Sequence, residues 1–171
     1  MSTQTWPAPI TAATLGRLFE FSYNVTKQNI DGFTHEESIR HAKEAGNPLN
    51  WIVGHIVANR DGVLKILGQE PVWDEDELEG YGHGSAPHPD GEGAMPWDKI
   101  LRDFDTTQER LREGLQHLTA EALNQGLTEE QNFLGLDNVG EMLAAYNFHE
   151  SYHAGQTGIM RRVLGREGVI G

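Results

Sequence analysis

Apolar residues recur every three or four positions in four separate segments of the chain, which is the spacing of an amphipathic α-helix. The first segment follows Thr11, the third begins near Pro96, and the fourth runs from the sequence LDNVGEM to Gly165. The second begins at NPLNW, where Asn47 suits an N-cap and Pro48 suits the first helical position. No run alternates cleanly between apolar and polar residues, so strands are not expected. The pattern predicts an all-α protein whose four helices close around one core as a four-helix bundle.

Two connections between the predicted helices are long. Residues 30–47 contain the sequence THEE, in which Thr34 and Glu37 form the pattern of a capping box for a short helix. Residues 69–95 are acidic and rich in glycine and proline, and a connection of this length is commonly a crossover, a lid or a disordered stretch. We favour a solvated crossover between the second and third helices over a lid. Residues 1–171 are predicted to form a single domain.

Composition and charge narrow the classes of function. The chain has 171 residues and a formal net charge of −13, which would repel both a nucleic acid and an anionic membrane. No stretch approaches the roughly 20 apolar residues of a membrane span. The chain contains no cysteine, which excludes disulfides, thiolate ligands and a cysteine nucleophile. The first residues, MSTQTWPAPITAATLG, lack the basic and apolar regions of a signal peptide, so we expect a cytoplasmic protein.

The fourth predicted helix carries two histidines, His149 and His153, four residues apart. Residues at this spacing share one face of a helix with Cβ atoms about 5–6 Å apart, so both imidazoles can reach one metal ion. Met142, Tyr146, Thr157 and Met160 flank the pair on that face, which should point both rings into the bundle. His55 lies on the inward stripe of the second helix, where a polar ring among apolar neighbours needs a partner. These residues predict a three-nitrogen metal site with room for water or substrate.

Four polar residues near the histidines are candidates for further roles. Glu150 could act at the metal, but a place at a helix–helix seam or in solvent is an equally open interpretation. Tyr146 could donate a hydrogen bond to a substrate, or it could belong to the core with its hydroxyl at the edge. Asn59 and Gln156 each lie about one turn beyond a histidine and could orient ligands or substrate through hydrogen bonds. Ordinary bonding between helices is the alternative for both amides.

The sequence HESYH also matches HExxH, the pattern of a zinc peptidase helix. In the longer form of that pattern a glycine stands where this chain has Gln156. Peptidases with this helix also carry a sheet ahead of it, and the sequence predicts none. A peptidase is therefore disfavoured, while another metal-dependent hydrolase stays an alternative.

Taken together, NPLNWIVGHI and NFHESYHAGQTGIMRRVLG resemble the DinB/YfiT-like superfamily of small helical metalloproteins. The family pattern has a histidine after a tryptophan and a glycine on the second helix, and then HxxxHxGQ on the last long helix. The matching residues here are Trp51, Gly54 and His55, then His149, His153, Gly155 and Gln156. The resemblance spans the whole chain in helix order and length.

The resemblance implies a four-helix bundle with a long connection between helices two and three. It also implies a divalent metal ion, usually zinc or nickel, on His55, His149 and His153, and a homodimer in many members. Relatives include thiol-dependent S-transferases that use a low-molecular-weight thiol, an isomerase and some hydrolases. The leading prediction is therefore a metal-dependent enzyme that transfers a thiol sulfur to a small-molecule electrophile. The alternatives are a metal-dependent hydrolase and a non-catalytic bundle that binds metal or a partner protein.

Overall fold

Four long helices form the bundle in the computed structural model, which describes residues 10–42, 46–87, 91–129 and 132–169. They are α1 (Ala12–Ile30), α3 (Leu49–Ile66), α5 (Trp97–His117) and α7 (Val139–Val163). Three short helices lie in the connections, α2 (His35–Ser38), α4 (Glu75–Glu79) and α6 (Ala120–Leu123). Within the described ranges there is no strand, only an isolated bridge between Ala42 and Gly46. The predicted all-α bundle is confirmed, and none of its described helices is long and apolar enough to cross a membrane.

The helices begin where short polar side chains satisfy their first backbone N–H groups. Thr11 caps α1, Thr119 caps α6 and Asn138 caps α7, each accepting from the N–H three residues later. The predicted capping box of Thr34 and Glu37 forms at the start of α2. Local sequence therefore determines most of the helix starts.

The central helix α3 is buried on almost every side. It packs against both α5 and α7, and its buried residues run without a break from Leu49 to Val57. It begins one residue later than predicted, because Pro48 rather than Asn47 occupies the cap position. Polar side chains on α3 are consequently removed from water and need partners inside the bundle.

The connection between α3 and α5, residues 69–95, is a crossover whose described residues are mostly exposed or half-buried, but two side chains anchor it to the bundle. Its side chains Trp73 and Tyr81 are only 2% and 3% exposed. Trp73 Nε1 donates to Asp103 on α5 at 2.6 Å, and the Tyr81 hydroxyl donates to Asn50 Oδ1 on α3 at 2.8 Å. These two aromatic residues anchor the connection, of which residues 88–90 lie outside the described part.

Asp61 on α3 is buried where this connection begins. Its Oδ1 accepts from the Val72 N–H at 3.2 Å, while its Oδ2 has no hydrogen-bond partner in the described part of the chain. Burial raises the pKa of the Asp61 carboxyl above its ordinary value of 3.8. The buried carboxylate therefore destabilises the fold once the pH is high enough to ionise it.

We expect Asp61→Asn to stabilise the protein at pH 7.5 by up to about 1 kcal/mol. A group whose pKa is raised by folding favours the folded state below its unfolded pKa, and this contribution is lost as pH rises through the folded pKa. The gain from the neutral amide should therefore be larger at pH 7.5 than at pH 4.5. Urea unfolding followed by circular dichroism at both pH values measures it, and an equal change at the two would contradict the assignment.

Candidate metal centre

Three imidazoles from two helices meet inside the bundle. His55 comes from α3, and His149 and His153 come from successive turns of α7. Nε2 of His149 lies 3.2 Å from Nε2 of His55 and 3.1 Å from Nε2 of His153. Nitrogen ligands about 2.0–2.1 Å from one tetrahedral zinc ion are separated by roughly 3.3 Å. The spacing fits a shared ion, and in the described residues these three form the one group of possible ligands.

In two of the rings the nitrogen that faces away from the cluster, Nδ1, forms a hydrogen bond to a carbonyl oxygen. His55 Nδ1 donates to the backbone carbonyl of Tyr81 at 2.6 Å, and His153 Nδ1 donates to Oε1 of Gln156 at 2.7 Å. A carbonyl oxygen can only accept, so the proton of each neutral ring is on Nδ1 and Nε2 keeps its lone pair. Partners of this kind select the tautomer that binds a metal through Nε2.

The third ring faces a side-chain amide. Asn59 Nδ2 donates to His149 Nδ1 at 2.6 Å, which places the proton of the neutral ring on Nε2. A half-turn of the amide exchanges Nδ2 for Oδ1, which would accept from Nδ1–H and free the Nε2 lone pair for a metal. The structure thus brings both amides selected from the sequence, Asn59 and Gln156, into hydrogen-bond range of a candidate ligand.

Burial keeps the three rings neutral. It lowers the pKa of His149 to about 4, with the charges of His153 and His55 adding to the effect. Burial is also the largest cause of the lowered pKa values of His55 and His153. Neutral imidazole is the form that binds a metal ion, so no proton need be displaced from these rings at neutral pH.

Trp51 and Tyr81, which had no assigned role in the sequence analysis, hold His55 in place. The indole of Trp51 stacks on the His55 ring with centroids 4.6 Å apart and 8° between the planes. Trp51 Nε1 donates to Oγ of Ser85 at 3.1 Å. The ring of Tyr81 lies so close to Gly54 that a Cβ on Gly54 would collide with it. The tryptophan and glycine that precede His55 in the sequence motif were the available signal for these contacts.

We expect Gly54→Ala to lower the stability of the protein by about 1–3 kcal/mol and its metal affinity by about 10- to 100-fold. The added methyl must displace Tyr81, whose carbonyl fixes the tautomer of His55. Gly155→Ala is the matched control, since a Cβ there meets nothing within 4 Å. Urea unfolding and zinc titration calorimetry measure the two effects, and equal behaviour of the variants would contradict the proposed contact.

Glu150 lies at a helix–helix seam. Both its carboxylate oxygens accept from Arg60 on α3, at 2.7 and 2.9 Å, and the two residues are 2% and 1% exposed. The guanidinium also donates to the Phe104 carbonyl, Thr107 Oγ1 and Gln108 Oε1 on α5. With both oxygens engaged by a buried cation, Glu150 is poorly placed to act as a general base, which argues against its candidate catalytic role.

Tyr146 lies one turn before His149 on α7 and is half-buried. Its hydroxyl packs so tightly against Gly62 of α3 that a Cβ on Gly62 would collide with it. Its ring meets Phe133 edge-on with centroids 6.3 Å apart. Burial raises the pKa of the hydroxyl, so Tyr146 keeps its proton at neutral pH and remains able to donate.

Comparison with known proteins identifies the family. A family model described as the DinB superfamily matches residues 18–157, a range that contains all three histidines. The crystal structure of a conserved protein from Enterococcus faecalis aligns with a TM-score of 0.68 at 13% sequence identity, over 92% of this chain and 98% of that one. At this identity the likeness shows the fold alone, and none of the curated proteins matches the chain. The family model covers most of the chain, which therefore belongs to the DinB superfamily.

Proposed function

We propose that the chain is a divalent-metal-dependent enzyme in which His55, His149 and His153 hold the ion. The observation that carries the proposal is the convergence of their three Nε2 atoms inside the bundle, with neighbouring pairs 3.1 and 3.2 Å apart. Family membership and this cluster together fit a metal-binding protein. The proposal that the protein is an enzyme goes beyond metal binding, and it rests on the number of protein ligands to the metal.

The number of ligands favours catalysis over a structural metal. A structural zinc site is closed by a fourth protein ligand, whereas a catalytic site has three and keeps one position for water or substrate. In the part of the chain that the structure describes, no fourth histidine or carboxylate joins the cluster. We propose zinc or nickel as the ion. Imidazole ligands suit copper and iron as well, and the preference for zinc or nickel rests on the resemblance to the DinB/YfiT-like superfamily.

The proposed reaction transfers a thiol sulfur to a small-molecule electrophile. A divalent metal, when bound, would supply the positive charge that lowers the pKa of a thiol. The thiol gives its proton to water, and the sulfur lone pair forms a bond to the electrophilic carbon. The electrons of the broken bond go to the departing halide of an aryl halide; with an epoxide or an activated alkene they stay on an oxygen or carbon of the product, which takes up a proton from water. Because the chain has no cysteine, the sulfur would come from a separate low-molecular-weight thiol.

The residues around the histidines would orient the ligands and the substrate. The Tyr81 carbonyl, Asn59 and Gln156 each contact the Nδ1 of a different histidine and so fix the ring orientations. Tyr146, protonated at neutral pH, is the candidate donor to a leaving group or a carbonyl oxygen. Its substitution by phenylalanine should lower turnover while leaving the metal content unchanged.

Thioether formation tests the proposal. Wild type loaded with zinc or nickel is incubated with a low-molecular-weight thiol and an epoxide, an aryl halide or an activated alkene, and the products are measured by mass spectrometry. We expect His149→Ala to lose more than about 100-fold in rate. His117→Ala, whose side chain is exposed at the end of α5, should retain the wild-type rate.

Two results would decide against thiol transfer. Equal thioether formation by His149→Ala and wild type would contradict a role of the metal centre in the reaction. Metal-dependent hydrolysis of esters or amides, with no thioether formed from any electrophile, would favour the hydrolase alternative.

A further inference from the structure

Beyond the histidines, toward the end of α3, side-chain contacts join α3 and α7. There the ion pair of Arg60 and Glu150 joins the two helices at 2.7 Å. Farther along the same two helices, Tyr146 packs directly against Gly62. These contacts hold the two helices together on that side of the histidines.

Toward the start of α3, a groove of about 340 Å³ lies between α3 and α7. Ile52, Ile159 and Met160 form its apolar walls with the ring of Tyr152, and its polar groups are the side-chain amides of Asn47 and Gln156. None of the residues that line the groove carries a charge. Its volume is at the small end of the range for ligand pockets, so it suits a compact molecule.

Two residues of the groove also contact the candidate metal centre. Oε1 of Gln156 accepts from His153 Nδ1, which leaves Nε2 of the same amide able to donate to a ligand. The ring of Tyr152 meets the His153 ring edge-on with centroids 5.3 Å apart. A third residue, Ile52, lies one turn before His55 on α3. The groove therefore borders the histidine cluster through Gln156 and Tyr152, although none of the three histidines is among the residues that line it.

We propose that this groove binds the uncharged, apolar body of the substrate whose reacting end lies at the histidines. The inference rests on the proposed function and adds the chemical class of the molecule, a compact alkyl or aryl compound without a carboxylate or phosphate. Its apolar walls favour such a body through burial. They offer no cation to an anionic ligand, and the net charge of −13 repels one.

A series of neutral n-alkanethiols, bound to the cobalt-loaded protein, tests this proposal without turnover. Sulfur coordination is followed by its charge-transfer absorption in the near ultraviolet. If the alkyl tail lies in the groove, affinity should rise roughly fourfold per methylene from ethanethiol to hexanethiol. A mercaptocarboxylic acid of matching length should bind more weakly than the neutral thiol. Affinity that does not change along the series would overturn the proposal.

Two substitutions in the groove should remove the dependence on chain length while ethanethiol still binds. Ile159→Glu places a charge in the apolar wall. Gly155→Leu fills the groove, and its Cβ meets nothing within 4 Å, so α7 can accept it. Val163→Glu is the matched control, because Val163 is 50% exposed one turn beyond Ile159, which is 52% exposed.

In the control variant Val163→Glu, the affinity for alkanethiols must still rise with the length of the alkyl chain. Loss of that dependence in Val163→Glu, or its persistence in both groove variants, would refute the site. Sedimentation of each variant accompanies the titrations, because Phe148 on the same helix is 74% exposed and a change of oligomeric state could alter the groove.

Binding of hexanol tests the groove independently of the proposed thiol-transfer function. It carries the alkyl tail without sulfur, and its binding to metal-free protein is followed through the methyl resonances of Ile52 and Ile159. One outcome is that hexanol shifts these methyl resonances while thiols give no charge-transfer absorption with the cobalt-loaded protein. That outcome would support the groove and reject the thiol-transfer function. Thiol absorption without methyl shifts and without chain-length dependence would reject the groove and retain that function.

Discussion

Replacing His153 with alanine is expected to abolish stoichiometric binding of a divalent metal ion. The substitution removes one of three converging nitrogens and leaves only His55 and His149 facing each other. We expect affinity for zinc and nickel to fall by about 1,000-fold or more, which corresponds to roughly 4 kcal/mol. Titration calorimetry on metal-free protein, together with elemental analysis of protein purified without a histidine tag, measures this loss.

Two controls make the His153 result specific. His117→Ala removes an exposed histidine and should bind as wild type does. Zinc at 100 times its dissociation constant should stabilise wild type by about 2.7 kcal/mol against unfolding, and His153→Ala should show no such gain at the same concentration. One tightly bound ion per chain in His153→Ala would show that the histidine cluster is not the metal site.

Removing one partner of the Arg60–Glu150 ion pair is expected to cost about 3–5 kcal/mol of stability. Both residues are almost fully buried, so Glu150→Gln leaves the guanidinium charge of Arg60 without its counter-ion away from water. This loss is a large part of the stability of an ordinary domain. Urea unfolding followed by far-ultraviolet circular dichroism, with the metal-free protein, measures it.

A double variant distinguishes the loss of the pair from the cost of an isolated charge. Arg60→Met combined with Glu150→Leu removes both charges and should recover part of the loss, because a buried pair is often replaceable by apolar side chains. Recovery should be incomplete, since three acceptors on α5 each lose a bond from the guanidinium. Asp98→Asn breaks a highly exposed ion pair with Arg102 and should have no measurable effect; a similarly small effect of Glu150→Gln would refute the prediction.

The main helices and the metal-ligand candidates were predictable because both follow from burial. A helix that covers a core must bury a stripe that repeats every turn, and four such stripes correspond to α1, α3, α5 and α7. The same rule places His149 and His153 inside, because they share a stripe of α7 with Met142, Tyr146, Thr157 and Met160. His55 follows from its place among apolar residues on α3.

Glu150 shows where a periodic pattern stops being informative. It follows His149 and is therefore rotated about 100° around the helix from it, a direction that suits either the metal centre or the neighbouring helix. The deciding partner, Arg60, is 90 residues away in the chain. Because α3 is buried on almost every side, the pattern along that helix gave no sign of the direction in which Arg60 points.

The support of His55 by Tyr81 could not be recognised from residue type. Tyr81 accepts the bond through its backbone carbonyl, a group that every residue has. The acidic composition of residues 69–95 indicated solvent, whereas two large aromatic residues in that segment, Trp73 and Tyr81, were the evidence for burial. A few apolar side chains therefore anchor a segment whose other described residues are exposed or half-buried.

The short turn from Tyr81 to Ser85 supports His55 twice, directly through the Tyr81 carbonyl and indirectly through the Ser85 hydroxyl against Trp51. Local opening of this turn would free the His55 ring to reorient, so an ion held by that ring must oppose the opening. Amide hydrogen exchange in the turn should accordingly slow when the histidines are loaded. A segment 26 residues away from His55 in the chain would then report the occupancy of the metal centre through its own backbone protons.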